Sequence, residues 1–308
     1  MITGKAVAVQ EVTCHKVDED RIARALDDIG GQSFNRWHSL RYGSLSIGGL
    51  VRLQGELLDH VGARTLSDPA LTGPSGRDVL RAAAECALGV LALGSFPNGD
   101  FEVYFPLNDQ TLDSGDFAFG DAVDDVSTAR TWLDTFALCV TTDLLHRPER
   151  VVGPLLKDYA AAIRDGVPYS PLESVSDPGD LAAMDALCGY LADMVGTWPA
   201  TRVAPEPITK PDAQARAEAA RRLDAAGALT PDQRLLRVLL DDDRAAFEHA
   251  LTERLRLHRD GVGPDPEPRT LLPAETVALA ALAVRAHGWQ LETRSGYLPE
   301  GLLADPQE

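Results

Sequence analysis

Acid–base or metal chemistry would most readily be built from the seven histidines, and none lies in an HExxH run or at a Cys/His spacing suited to zinc. The nearest approach is FEHALTERLRLH, which carries His249, Glu253 and His258. On a helix turning ~100° per residue, His249 and His258 point ~180° apart, so they cannot grip one ion. Ser46 lies in YGSLSIGG, yet a nucleophile elbow needs glycine two residues before the serine, and Ser44 stands there. That stretch reads as helix with no preceding strand, so its small residues are expected to serve close packing. No Walker loop or GxGxxG opens a helix after a strand, which leaves phosphate and dinucleotide binding without support. TGPSGRD reads instead as a loop leading into a helix. Two carboxylate clusters remain: Asp121, Asp124 and Asp125 in DAVDD, and Asp241, Asp242 and Asp243 in LLDDDR. Such clusters cap helices and solvate surfaces, bind a hard cation when their oxygens converge, or face a basic protein. No catalytic constellation, metal-ligand set or cofactor site is expected.

The elements that carry these residues are mostly helical, because apolar positions recur at spacings of three and four. Residues 18–29 open on acids and close on Gly30-Gly31. Phe34, Trp37, Leu40, Ile47, Leu50 and Leu57 predict one long helix, kinked where Gly43, Gly48 and Gly49 fall. Further helices are expected over 77–93, 126–146, 151–165 and 178–197. NGDFEVYFPL interrupts the series, since Phe101, Val103 and Phe105 alternate with Glu102 and Tyr104 after an Asn-Gly turn. A lone strand or hairpin arm is expected near 101–106. The Pro-rich passage TWPATRVAPEPITKPDAQ marks a linker or surface crossing, with a candidate sub-boundary at 198–211. Beyond it, helices are predicted over 211–226, 230–259 with a break at Asp241–Asp243, and 273–287. The fold class is therefore all-α, an array of antiparallel helix pairs over residues 1–308, with no fixed-period repeat.

The formal charge of −18 disfavours nucleic acid and anionic membrane surfaces, and it attracts a basic partner. The longest purely apolar run, Val277 to Val284, is far shorter than the ~20 residues of a membrane span. The start, MITGKAVAVQEVTCHKVDEDR, turns charged before an apolar core of secretory length develops, so a cytoplasmic protein is expected. Cys14, Cys86, Cys139 and Cys188 form no CxxC pair and read as reduced core thiols.

The C-terminal third resembles the immunity 49 family of bacterial polymorphic-toxin systems. In FEHALTERLRLHR, Phe247, Ala250-Leu251, Leu255, His258 and Arg259 occupy places similar to those of the family's penultimate helix. The ending LLPAETVALAALAVRAHGWQLETRSGYLPEGLL is similar to the family's close through Leu291, Glu292, Ser295, Tyr297, Leu298, Pro299, Leu302 and Leu303. WLDTFALCV is similar to a Trp-x-x-x-Phe helix through Trp132, Phe136 and Cys139-Val140. The likeness is weak over roughly the first 75 residues, and Arg285 and His287 stand where family members carry an aspartate.

The resemblance implies a non-enzymatic protein that neutralises a cognate toxin domain by binding it. Acidic complementarity would speed that association, so the toxin is expected to be basic, with Asp121, Asp124, Asp125 and Asp241–Asp243 as candidate contacts. A helical scaffold or regulator, or an enzyme whose residues converge only in three dimensions, are the alternatives. Phe247, Leu251 and Leu255 fall at i, i+4 and i+8, so one buried stripe is expected, with His258 at its edge. The tail HGWQLETRSGYLPEGLL holds too many apolar side chains for a free end. It is expected to fold back as a clasp: Gly288 ends the helix in a left-handed conformation, 290–293 runs extended, and Pro299 opens a helical turn.

Overall fold

The computed structural model describes residues 11–43, 45–96, 102–116, 126–147, 150–167, 173–192 and 207–304. Among them are twelve α-helices and four short strands, so the chain is predominantly α-helical. The first helices are α1 (Glu19–Leu26), α2 (Ile29–Tyr42), α3 (Ile47–Arg64) and α4 (Pro74–Ser95). Next come α5 (Ala129–Thr141), α6 (Val152–Asp165) and α7 (Pro178–Cys188). The C-terminal part supplies α8 (Ala213–Ala225), α9 (Pro231–Leu240), α10 (Arg244–Gly261), α11 (Ala274–Arg285) and α12 (Glu300–Leu303).

Short polar side chains begin these helices by taking up N–H groups that have no intrahelical acceptor. Asp18, Asp28, Ser46, Thr128, Asp177, Asp212, Thr230 and Asp243 each accept from a backbone N–H in the first turn that follows. Ser46 corrects the single kinked helix expected from Phe34 to Leu57. Gly43 ends α2, and the Ser46 side chain starts α3 afresh by accepting from Gly49 N–H at 3.1 Å. The same contact corrects the helical reading of YGSLSIGG, because Ser46 precedes the helix with extended backbone. The helix expected over 178–197 stops at Cys188, and Leu191 instead bridges to Ile208.

The core is built around α4 and α11, both buried on nearly every side. Such helices need small residues wherever neighbours cross closely. A Cβ at Gly89 of α4 would lie 2.3 Å from Val103 Cγ2, and one at Gly62 of α3 would lie 2.0 Å from the Pro268 carbonyl oxygen. Helix α4 packs on α3, α5 and α6, while α11 packs on α5, α9 and α12. Residues on both sides of the Pro-rich passage, from Val12 to Leu302, enter one hydrophobic cluster.

The expected strand is one arm of a hairpin. β2 (Glu102–Phe105) pairs antiparallel with β3 (Gln110–Asp113) in the register Val103–Leu112, and its buried side chains lie against α4. A second pair has no counterpart in the sequence pattern. β1 (Glu11–Val12) runs parallel to β4 (Arg294–Ser295), which joins the two ends of the described chain. Two-residue strands carry no readable alternation, so only their juxtaposition reveals them.

Candidate functional site

Asp241, Asp242 and Asp243 occupy the break between α9 and α10, and each is engaged within the chain. Asp241 receives Arg237 of its own helix at 2.5 Å, and Asp243 caps α10 by accepting from Ala245 and Ala246 N–H. Asp242, with φ +61°, holds the tight link between the helices and gathers Lys210 at 2.6 Å, Arg216 at 3.0 Å and His287 Nδ1 at 2.8 Å. Burial opposes ionisation of the Asp242 carboxyl, but hydrogen bonds from Lys210 and His287 and the Arg216 charge hold it below the ordinary range. Asp121, Asp124 and Asp125 lie outside the described residues.

The Asp242–His287 contact extends to a third residue. Tyr190 Oη lies 2.9 Å from His287 Nε2, giving a Tyr–His–Asp chain. Because the carboxylate only accepts, Nδ1 carries the imidazole proton and Nε2 accepts from the tyrosine. Burial lowers the His287 pKa, outweighing Asp242, and burial pushes Tyr190 well above the tyrosine range. The His287 side chain and Tyr190 are both 0 % exposed, so no substrate reaches either ring. The chain ties α7, α9 and the end of α11 together. Arg285 has a similar task, donating to the Val140 carbonyl at 2.6 Å and to the Leu302 carbonyl at 3.0 Å.

The tail runs along α10, from Phe247 in its first turn to His258 in its last. Gly288 adopts φ +70°, Trp289 packs 5.6 Å from Phe247, and the Glu248 carboxylate accepts from Glu292 and Thr293 N–H at 2.6 and 3.1 Å. Tyr297, Leu298 and Pro299 are buried, as are Phe247, Leu251 and Leu255 on the expected stripe of α10. Tyr297 Oη accepts from His15 N–H at 2.8 Å and lies 2.6 Å from His15 Nδ1. His15 Nε2 lies 2.9 Å from Thr270 Oγ1, and His258 Nε2 lies 2.8 Å from the Thr270 carbonyl. His258 therefore donates to backbone at the rim of the stripe. Elsewhere, Trp132 and Phe136 stack 5.0 Å apart in the core, and the Trp132 indole donates to the Leu156 carbonyl at 2.7 Å.

Converging polar groups in a deep pocket would mark an enzyme. The polar cleft between α3, α4 and α5, about 310 Å³, is lined by Gln54, Arg130, Thr131, Asp134, Thr135 and Arg269 and by no histidine or cysteine. Its cations are committed: Arg130 pairs with Asp134 and Glu275, and Arg269 with Asp59. Glu85, buried inside α4, is held by Arg150 at 2.5 Å, which also reaches Glu102. Among the described residues no group of three or more His, Cys, Asp or Glu side chains is placed to hold a metal ion. No described helix is long and apolar enough to cross a membrane.

One surface of a different kind lies on α2. Its inward face buries Ser33, Trp37 and Leu40, whereas Phe34, His38 and Tyr42 follow one another at four-residue intervals on the outward face. Phe34 is 46 % and Tyr42 67 % exposed, and their rings lie 6.3 and 4.7 Å from the His38 ring. Phe34 is among the apolar positions that predict a helix here, yet it faces outward; the spacing Phe34–His38–Tyr42 is the signal in the sequence for a second face on the same helix.

A family model described as immunity protein 49 matches residues 68–302, which leaves α1, α2 and α3 before the matched span. No curated protein and no solved structure matches the chain.

Proposed function

The chain belongs to the immunity protein 49 family, and we propose that it neutralises a cognate bacterial toxin domain by binding it and covering its working face. The observation that carries this reading is the family match over 68–302, the span that contains the sealed Tyr190–His287–Asp242 chain and most of the tail clasp. Rings and carboxylates that could have done chemistry there are spent on holding helices together. Neutralisation is then stoichiometric, with no turnover.

Charge acts on two scales in this reading. A net −18 attracts a basic toxin over distances up to about a Debye length, ~10 Å at 0.1 M salt. Asp121, Asp124 and Asp125 contribute to that field. Asp241, Asp242 and Asp243 add charge too, but each is already engaged inside the chain. Steering of this kind raises the association rate more than it deepens the bound state.

The test is co-expression with toxin-like domains sought among the products of genes adjacent to this chain's. Rescue of growth, together with a 1:1 complex on a sizing column, is the expected result. A toxic partner that kills equally with and without this chain, and forms no complex, would remove the proposal.

A further inference from the structure

Close contact with a toxin needs a surface able to anchor it, and the geometry points to the outward face of α2. We propose that Phe34, His38 and Tyr42 form the anchoring stripe of the toxin interface, and that the stripe seats in an apolar groove of the toxin flanked by carboxylates. This rests on the proposed function and deepens it.

Two observations converge on that face. The first is aromatic exposure on an ordered helix. Buried Trp37 backs Phe34 at 5.5 Å and Tyr42 at 6.2 Å, so the rings are held from beneath while one side of each meets solvent. Rigid aromatic groups lose little conformational freedom on docking and dominate interface energetics. Their i, i+4, i+8 spacing is that of a helix laid into a groove.

The second is charge. Residues 29–55 hold no Asp or Glu, although the chain has 47 acidic residues; the next longest such stretch is 276–291, most of it the buried helix α11. Within 29–55 stand Arg36, Arg41 and Arg52. Arg36 is paired with Glu56 at 2.5 Å, and the Arg41 guanidinium lies 5.8 Å from the Tyr42 ring centre. Arg52 is exposed and makes no ion pair among the described residues. With no Asp or Glu along α2, a partner's carboxylates meet less repulsion there than beside elements that carry acids, which favours one docking orientation. A toxin can be basic overall, drawn in by the net charge, and still present the acid-flanked groove that this stripe fits. Helix α2 also precedes the part of the chain shared with the family, where a contact peculiar to one toxin can vary without disturbing the common core.

The experiment uses the full chain and the toxin domain that the co-expression test identifies, with affinity measured by calorimetry and rescue by growth. Phe34→Ala/Tyr42→Ala removes both anchors and is expected to weaken binding at least about 100-fold. His38→Glu places a carboxylate between them without changing the anchors and is expected to weaken binding about 10-fold or more. Arg221→Glu on α8, at a side chain 71 % exposed, serves as a charge control and is expected to leave affinity within about 3-fold. Circular dichroism and melting temperature verify that each variant folds. Wild-type binding that survives both α2 changes within about 3-fold overturns the α2 assignment and leaves immunity standing. Failure of the wild type to bind or rescue removes the immunity reading, and the assignment with it. Variants that alter only the oligomeric state, with toxin affinity unchanged, show that a second copy occupies the face and also overturn the assignment.

Discussion

Replacing Tyr297 by phenylalanine removes one oxygen from the junction of the two chain ends while keeping the ring that fills the buried site. In the native arrangement, that oxygen accepts from His15 N–H at 2.8 Å and donates to His15 Nδ1 at 2.6 Å. The direction follows from the remaining partners. Thr270 Oγ1 donates to the Glu267 carbonyl at 2.6 Å, so His15 Nε2–H donates to Thr270 and Nδ1 is left as an acceptor. Phenylalanine thus orphans one backbone donor and one ring acceptor at a half-buried position, at a cost of about 1–3 kcal/mol. Domains of 150–250 residues lose roughly 2–4 °C per kcal/mol, and this longer chain sits at the shallow end, so a melting temperature lower by about 2–6 °C is expected. Because β1 is held to β4 through this corner, limited proteolysis should also cut earlier near Cys14–Asp18. A double-mutant cycle with His15→Ala should return a coupling of about 0.5–3 kcal/mol. A shift under about 1 °C with no coupling would refute the hydrogen-bonded corner and leave Tyr297 as packing alone.

Acid should destabilise the fold. Burial lowers the pKa of His15, His60, His258 and His287, so the unfolded chain takes up these protons first as pH falls through about 6.5. Their contribution is intact above that value and shrinks below it; melting temperatures from pH 7.5 to 5.5 should therefore fall, and a flat profile would contradict the burial of these rings. Gly62→Ala drives a methyl into the Pro268 carbonyl and should cost about 1–3 kcal/mol in urea unfolding, since backbone and not a pliable side chain stands in the way. Burial pushes the Cys14 thiol up to about 11 and Cys188 up to about 12, with Cys86 and Cys139 higher still. The folded chain at pH 7.5 should react slowly with a disulfide reagent and the urea-unfolded chain rapidly with four equivalents; fast native titration of all four would contradict the buried placement of Cys86 and Cys139.

The helices were legible because their periodicity is local, as Phe247, Leu251 and Leu255 illustrate: a stripe at i, i+4, i+8 has only one face to bury. The tail was legible for a related reason. Trp289, Tyr297, Leu298 and Leu302 are too apolar for solvent, and Gly288 supplies the left-handed turn that brings them back. Chain breaks were less so. Three glycines between Phe34 and Leu57 suggest a bend, but whether the helix bends or restarts depends on one hydroxyl, that of Ser46, finding the Gly49 N–H.

Sequence alone determined the all-α class, the absence of any recognised catalytic motif, the family likeness and the folding back of the tail, all of which rest on residue types within a few turns of each other. Tertiary structure decided which polar groups are spent. The triple aspartate 241–243 reads in sequence as a helix cap, a solvated patch or a partner contact, and which residue does what is decided only when Lys210, Arg216 and His287, distant in sequence, converge on Asp242 while Asp243 caps α10. The pairing of β1 with β4 and the contact between His15 and Tyr297 span nearly the whole chain, and no local propensity encodes them. Exposure of Phe34 and Tyr42 was decided there too, because a helix with apolar residues on two faces does not announce which one its neighbours will cover.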